Sequence, residues 1–96
     1  MKSYEAMFII STQLDKDALS NAITQINELI TKNSGIIENT QNWGRRSLSF
    51  KIKKRHEGVY YLVNFKISPD EISKLNAQYR LKEFILRHTI FAAQKS

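Results

Sequence analysis

An α+β fold with its elements in the order β-α-β-β-α-β is what these 96 residues predict. Three observations predict it. Apolar residues alternate with polar ones in several short stretches, the mark of strands with one buried face. In two other stretches they step by three and four, the mark of amphipathic helices. Both helical stripes are apolar on one side only, so each helix has one sheet face to cover.

The first strand is "SYEAMFII", whose uniformly apolar set Tyr4, Ala6, Phe8 and Ile10 should face the core. "STQLD" then supplies turn and capping residues. From about Asp15 the period changes, and Ala18, Leu19, Ala22, Ile23, Ile26, Leu29 and Ile30 form one helical stripe. Asp15 and Asp17 suit the positive end of that helix, and Gly35 suits its C-terminal cap.

"IIENTQNWG" reads as extended but poorly patterned. After it, Leu48, Phe50 and Ile52 alternate with Ser47, Ser49 and Lys51 as a half-buried second strand. "KKRHEG" reads as a polar loop. The third strand, "VYYLVNFKI", places Val59, Tyr61, Val63, Phe65 and Ile67 on one face, and the pair forms a long hairpin. In "SPDEI", Ser68 is the expected N-cap, Pro69 the first helical residue and Glu71 the partner in a capping box. Ile72, Leu75 and Tyr79 give the second helix its buried face. "EFILRHTIF" is the last strand, and its blurred alternation suggests an edge.

Four antiparallel strands with two helices on one face, the ferredoxin-like arrangement, satisfy this order. Right-handed crossovers put the first and third strands in the centre and the second and fourth at the edges. The length accommodates one domain, residues 1–96.

With 42% apolar and 25% charged residues, the composition is that of a globular chain. No cysteine is present, which excludes disulfides and thiolate metal sites and fits a reducing cytosol. "MKSYEAMFII" lacks the long apolar stretch and small-residue cleavage site of a signal peptide. No stretch approaches the ~20 apolar residues of a membrane span.

Charge is the informative quantity. Seven of the 15 Lys and Arg residues, but only Glu57 of the nine carboxylates, lie between Arg45 and Lys66, so that stretch carries the whole net charge of +6. A field so focused suits a phosphate backbone. Edge strands also carry Lys and Arg simply to prevent aggregation, so composition alone leaves both readings open.

The face of the sheet turned away from the helices should receive Glu5, Met7, Ile9, Tyr60, Leu62, Asn64 and Lys66. Met7, Ile9, Tyr60 and Leu62 would form an apolar patch there, suited to a protein partner or a stacked base. One common RNA-binding domain has this topology and stacks bases on aromatic residues of its third strand. Its motif fails here: in "EGVYYLVNF", Glu57 replaces a basic residue, Val59 an aromatic one, and Tyr61 has core parity.

Catalytic chemistry finds no footing. His56 sits among cations and His88 on an edge strand, and a structural or solvent role is the expectation for each. No nucleophile–base set, metal-ligand spacing or phosphate-cradling glycine loop can be assembled. No cofactor, metal or small-molecule substrate is expected.

The stretch Trp43-Gly44-Arg45-Arg46, followed by Leu48 and Phe50, resembles the family of the sixth protein of the bacterial small ribosomal subunit. Tyr4-Glu5 at the start of the first strand, Arg80 after the second helix and Arg87 in "ILRH" also match, from Met1 to about Phe91. The resemblance implies a cytoplasmic, ribosome-associated, non-catalytic protein. It would bind 16S ribosomal RNA in the central platform together with the eighteenth small-subunit protein. Arg45, Arg46, Arg80 and Arg87 are the family-matched basic residues; Lys2, Lys51, Lys53, Lys54 and Arg55 are added from charge alone. The apolar patch would receive the protein partner. Trp43 is expected to pack beside the core, with Gly44 making a tight bend.

Lys51 stands where the family has proline and Ser49 where it has alanine. The sequence also ends at Ser96 without the long acidic tail of some relatives. An alternative from a different class is a non-ribosomal protein–protein adaptor with a basic edge strand.

Overall fold

The computed structural model describes residues 1–52 and 54–93, with the backbone alone at Phe50. Its elements are β1 (Lys2–Ile10), α1 (Lys16–Lys32), β2 (Ile36–Ile52), β3 (Arg55–Ile67), a short 3-10 turn (Pro69–Glu71), α2 (Ile72–Arg80) and β4 (Ile85–Ala92). The sheet is antiparallel in the order β2-β3-β1-β4. The two central strands are thus β1 and β3, as the apolar pattern requires.

Period-two alternation sets the core. Tyr4, Ala6, Phe8 and Ile10 pair in register with Phe65, Val63, Tyr61 and Val59, and all eight are buried. Ala22, Ile26 and Ile30 of α1 and Leu75 and Tyr79 of α2 close over them. Two polar tethers fix the helices. The Tyr79 hydroxyl donates to the Ile26 carbonyl at 2.7 Å, and the Tyr61 hydroxyl donates to Asn27 Oδ1 at 2.9 Å. Burial, with the nearby Tyr61 second, holds the Tyr79 phenol well above its ordinary pKa, so it remains a donor.

Helix α1 starts where expected, with the Asp15 carboxylate accepting from Ala18 N–H at 2.8 Å. Its C-terminus differs by one residue. Ser34, not Gly35, adopts the left-handed conformation, at φ 68°. Ser34 N–H bonds to the Thr31 carbonyl and Gly35 N–H to that of Ile30, the pairing of a Schellman end. Gly35 is needed for space: a Cβ there would lie 2.6 Å from the Ile30 side chain.

The capping box at Ser68 does not form. Ser68 makes no side-chain cap, and the chain enters α2 through the 3-10 turn, held by Glu71 N–H on the Ser68 carbonyl. The Glu71 carboxylate instead lies 3.0 Å from Lys74 Nζ, one turn ahead.

Strand β2 is longer than its pattern suggests, running 17 residues from Ile36. Residues 38–43 are all exposed, so no apolar alternation marks them. Register slips at Glu38 and at Trp43, each an extra residue opposite β3. Arg55 to Gly58, expected in a loop, belong to β3; Arg55, Glu57 and Gly58 pair with β2 beyond the end of the core. Ile52 faces Arg55 at the hairpin tip, and Lys54 takes φ 64° there.

Candidate nucleic-acid interface

The basic residues of the sequence meet chiefly on one structure, the distal half of the β2–β3 hairpin. Arg45 lies opposite Val59 and Arg46 opposite Gly58. Because successive strand residues project to opposite faces, Arg45 leans over the helix side and Arg46 over the open side. The two guanidinium groups therefore straddle the sheet edge. Arg45 Nη1 lies 3.6 Å from Glu57 Oε2, with both side chains about half exposed or more. Arg46 Nε donates to the Trp43 carbonyl at 3.3 Å.

Beyond them, Lys51 and Lys54 are exposed, while Arg55 is half-buried and donates to Gln13 Oε1 at 2.7 Å. Lys54, Arg55 and His56 share a shallow hollow with Thr12, Ser47, Leu48 and Glu57. Lys53 lies outside the described residues. On the open side, Arg87 pairs across from Ile9 and lines a hollow with Leu48, Ser49, Ile52 and Tyr60. Arg87 thus joins the hairpin group.

Lys2 and Arg80 do not join it. Lys2 faces Ile67 at the far end of β1, whereas the hairpin tip lies beyond Ile10. Eight residue steps separate those ends, roughly 26 Å at strand rise. Arg80 ends α2 on the helix layer, close to His88. Of the remaining cations in the basic stretch, Lys66 is 3.6 Å from Glu38.

Trp43 departs from expectation. It is the bulged residue of β2 and 44% exposed, with its indole N–H bonded to Gln41 Oε1 at 2.9 Å. Gly44 does make a bend, at φ 78°, and its N–H is held by Asn42 Oδ1 at 2.8 Å. Yet, its own chain neighbours aside, no described atom lies within 4 Å of where its Cβ would be. The glycine is there for the positive φ, and the indole is presented to solvent. The sequence signal for it is Asn-Trp-Gly, whose asparagine bonds the Gly44 N–H at the bulge.

The expected apolar patch is only half open. Ile9 and Leu62 are 8% and 6% exposed, whereas Met7 and Tyr60 are half-buried. Leu48 and Ile52 of the long β2 share the hollow over Ile9. Ile36 and Phe91, which pair with Lys66 and Glu5 of that face, are large apolar side chains it leaves exposed that pattern reading does not find. They sit beside charged neighbours at strand ends, where no periodic signal singles them out.

His88 is structural. It stacks on Phe8 with ring centroids 6.1 Å apart and sits 3.0 Å from Asn76 Oδ1. Burial, and then the Arg80 charge, lower its pKa below the usual value. Among the described residues, no three His, Asp or Glu side chains are grouped to hold a metal ion, and no helix is long and apolar enough to cross a membrane.

Comparison with known proteins agrees with this architecture. Residues 3–92 match the family model described as Ribosomal protein S6. The small ribosomal subunit protein bS6 of Clostridium novyi is 36% identical over 95 residues, covering 99% of this chain and all of the relative. That of Caldanaerobacter subterraneus is 38% identical over 90 residues, 94% of this chain and 95% of the relative. Among solved structures, the 30S ribosomal protein S6 of Thermotoga maritima superposes with a TM-score of 0.91. It is 27% identical, and the match covers 96% of this chain and 87% of that one.

Proposed function

The chain belongs to the ribosomal protein S6 family, and from that premise we propose that its β2–β3 hairpin and Arg87 grip ribosomal RNA in the small subunit. The family is one of structural ribosomal proteins, not of enzymes. One observation carries the proposal: the basic stretch folds into a single protruding hairpin whose cations point to both sides of one sheet edge. Scattered cations would give solubility; a rim of them meets a phosphate backbone.

The roles divide by chemistry. Arg45, Arg46 and Arg87 can fork onto phosphate oxygens, while Lys51, Lys53 and Lys54 act as point charges on flexible stems. Trp43, exposed beside Arg46, offers a stacking surface to an unpaired base. These groups position the protein; selectivity comes from RNA shape, since few side chains are arranged to read base edges. Lys2 and Arg80 lie apart from the hairpin and serve, if they touch RNA, a separate segment of it.

The open face, with Met7, Tyr60, Ile36 and Phe91, is the surface offered to a protein neighbour. The RNA is 16S ribosomal RNA of the central platform, and the neighbour is the eighteenth small-subunit protein. This places the chain in the cytoplasm on ribosomes. Fractionation tests the whole: the protein must cosediment with small subunits at moderate salt. A protein that stays in the soluble fraction is an adaptor instead.

A further inference from the structure

Two loops meet the β2–β3 hairpin at one end of the sheet, and between them lies a groove that the hairpin reading leaves unused. It is lined by Ser11, Gln13 and Leu14 after β1, by Leu81 to Phe84 after α2, by Gln25 of α1, and by Arg55 of β3. Arg55 lines this groove and also the hollow of Lys54 and His56, so the two are continuous through one side chain.

Lys82 is the second cation of the groove. Its Nζ is held by Gln25 Oε1 at 3.0 Å, just as Arg55 is held by Gln13 Oε1 at 2.7 Å. Both partners are neutral amides. Among the described residues neither cation is in an ion pair. Neutral acceptors orient a cation without cancelling its charge, so Arg55 and Lys82 retain their attraction for an anion. Leu81, 82% exposed, stands on the rim. Among the described residues Glu83 is the one carboxylate in the lining, and it opposes an anion there.

We propose that this groove is a second RNA-backbone site, in which a phosphodiester is bridged by Arg55 and Lys82. Charge complementarity and continuity with the hairpin both select a phosphate chain as the occupant. The proposal rests on the hairpin reading, because Arg55 belongs to both surfaces. The RNA path then turns from the hairpin over the end of the sheet onto the helix layer.

The test is a salt series of binding to purified 16S ribosomal RNA with the eighteenth small-subunit protein present. Its variants are Lys82→Ala, Glu83→Gln and the double variant Arg45→Ala with Arg46→Ala. Lys82→Ala should weaken binding several-fold and lower the log–log salt slope by about one. Glu83→Gln, which removes the opposing charge, should tighten binding, and thermal melts of both should match the parent. If the arginine double variant weakens binding while Lys82→Ala and Glu83→Gln behave as the parent, the groove is overturned and the hairpin reading stands. If none of the three changes binding, both fail.

Discussion

Arg45 and Glu57 face each other diagonally across the β2–β3 hairpin, the guanidinium 3.6 Å from the carboxylate. The pair is long and exposed, with side chains 61% and 47% accessible. Such pairs are worth little to stability, commonly under about 1 kcal/mol. Arg45 is therefore available to a stronger anion, and on the proposed function a phosphate would displace the carboxylate at small cost.

Replacing Arg45 and Arg46 together by alanine should weaken RNA association at least about tenfold, as expected for two charge-assisted contacts. The melting temperature should stay within a few degrees of the parent. Parallel RNA-binding and thermal-melt measurements check this. Loss of folding would make the arginines structural and remove them from the interface.

Trp43→Ala separates the exposed indole from a packing role. Stacking on a base is worth about 1–3 kcal/mol, so RNA affinity should fall by that order. Stability should barely change, because the side chain lies 44% open at a bulge. A large drop in melting temperature with unchanged RNA binding would restore the packing role.

Two glycine-related positions test the backbone account. A Cβ on Gly58 would fall on the Ile9 side chain, so Gly58→Ala should destabilise by about 1–3 kcal/mol. Ser34 occupies the left-handed position that glycine fills without strain, so Ser34→Gly should stabilise by about 0.5–1 kcal/mol. Denaturant titration of both variants reads the opposite signs directly.

His88 predicts a pH effect on folding. Burial lowers its pKa in the folded state below 6.5. As pH falls through about 6.5, the unfolded chain takes up the proton before the folded one does. The contribution of His88 is thus full above that pH and declines below it, levelling off once the folded-state pKa is passed. The groups facing the ring include Asn76, Tyr79 and Phe8, with the Arg80 charge nearby opposing protonation. Stability measured between pH 5 and 7, about these limits, should rise with pH in the parent and rise less in His88→Gln.

The parts legible in sequence are those where burial imposes a period. Tyr4, Ala6, Phe8 and Ile10 announced the core face of β1 because each is covered by a helix. Residues 38–43 gave no such sign because β2 lies at the edge and exposes them, and the bulges at Glu38 and Trp43 break what parity remains. Charge located the hairpin but not the reach of other cations. Sign alone groups Lys2 with it, and only strand direction shows that it lies at the opposite end of β1. Ile9 and Leu62 have the correct parity for the open face, yet both are buried, Ile9 beside Leu48 and Ile52 of β2. Parity names a face; it does not give exposure.

Whether the cationic hairpin holds RNA by neutralising phosphates is measured most directly by the salt dependence of RNA affinity. With about four phosphates neutralised, log affinity should fall with log salt at a slope of roughly −3 to −4. A flat response would contradict it.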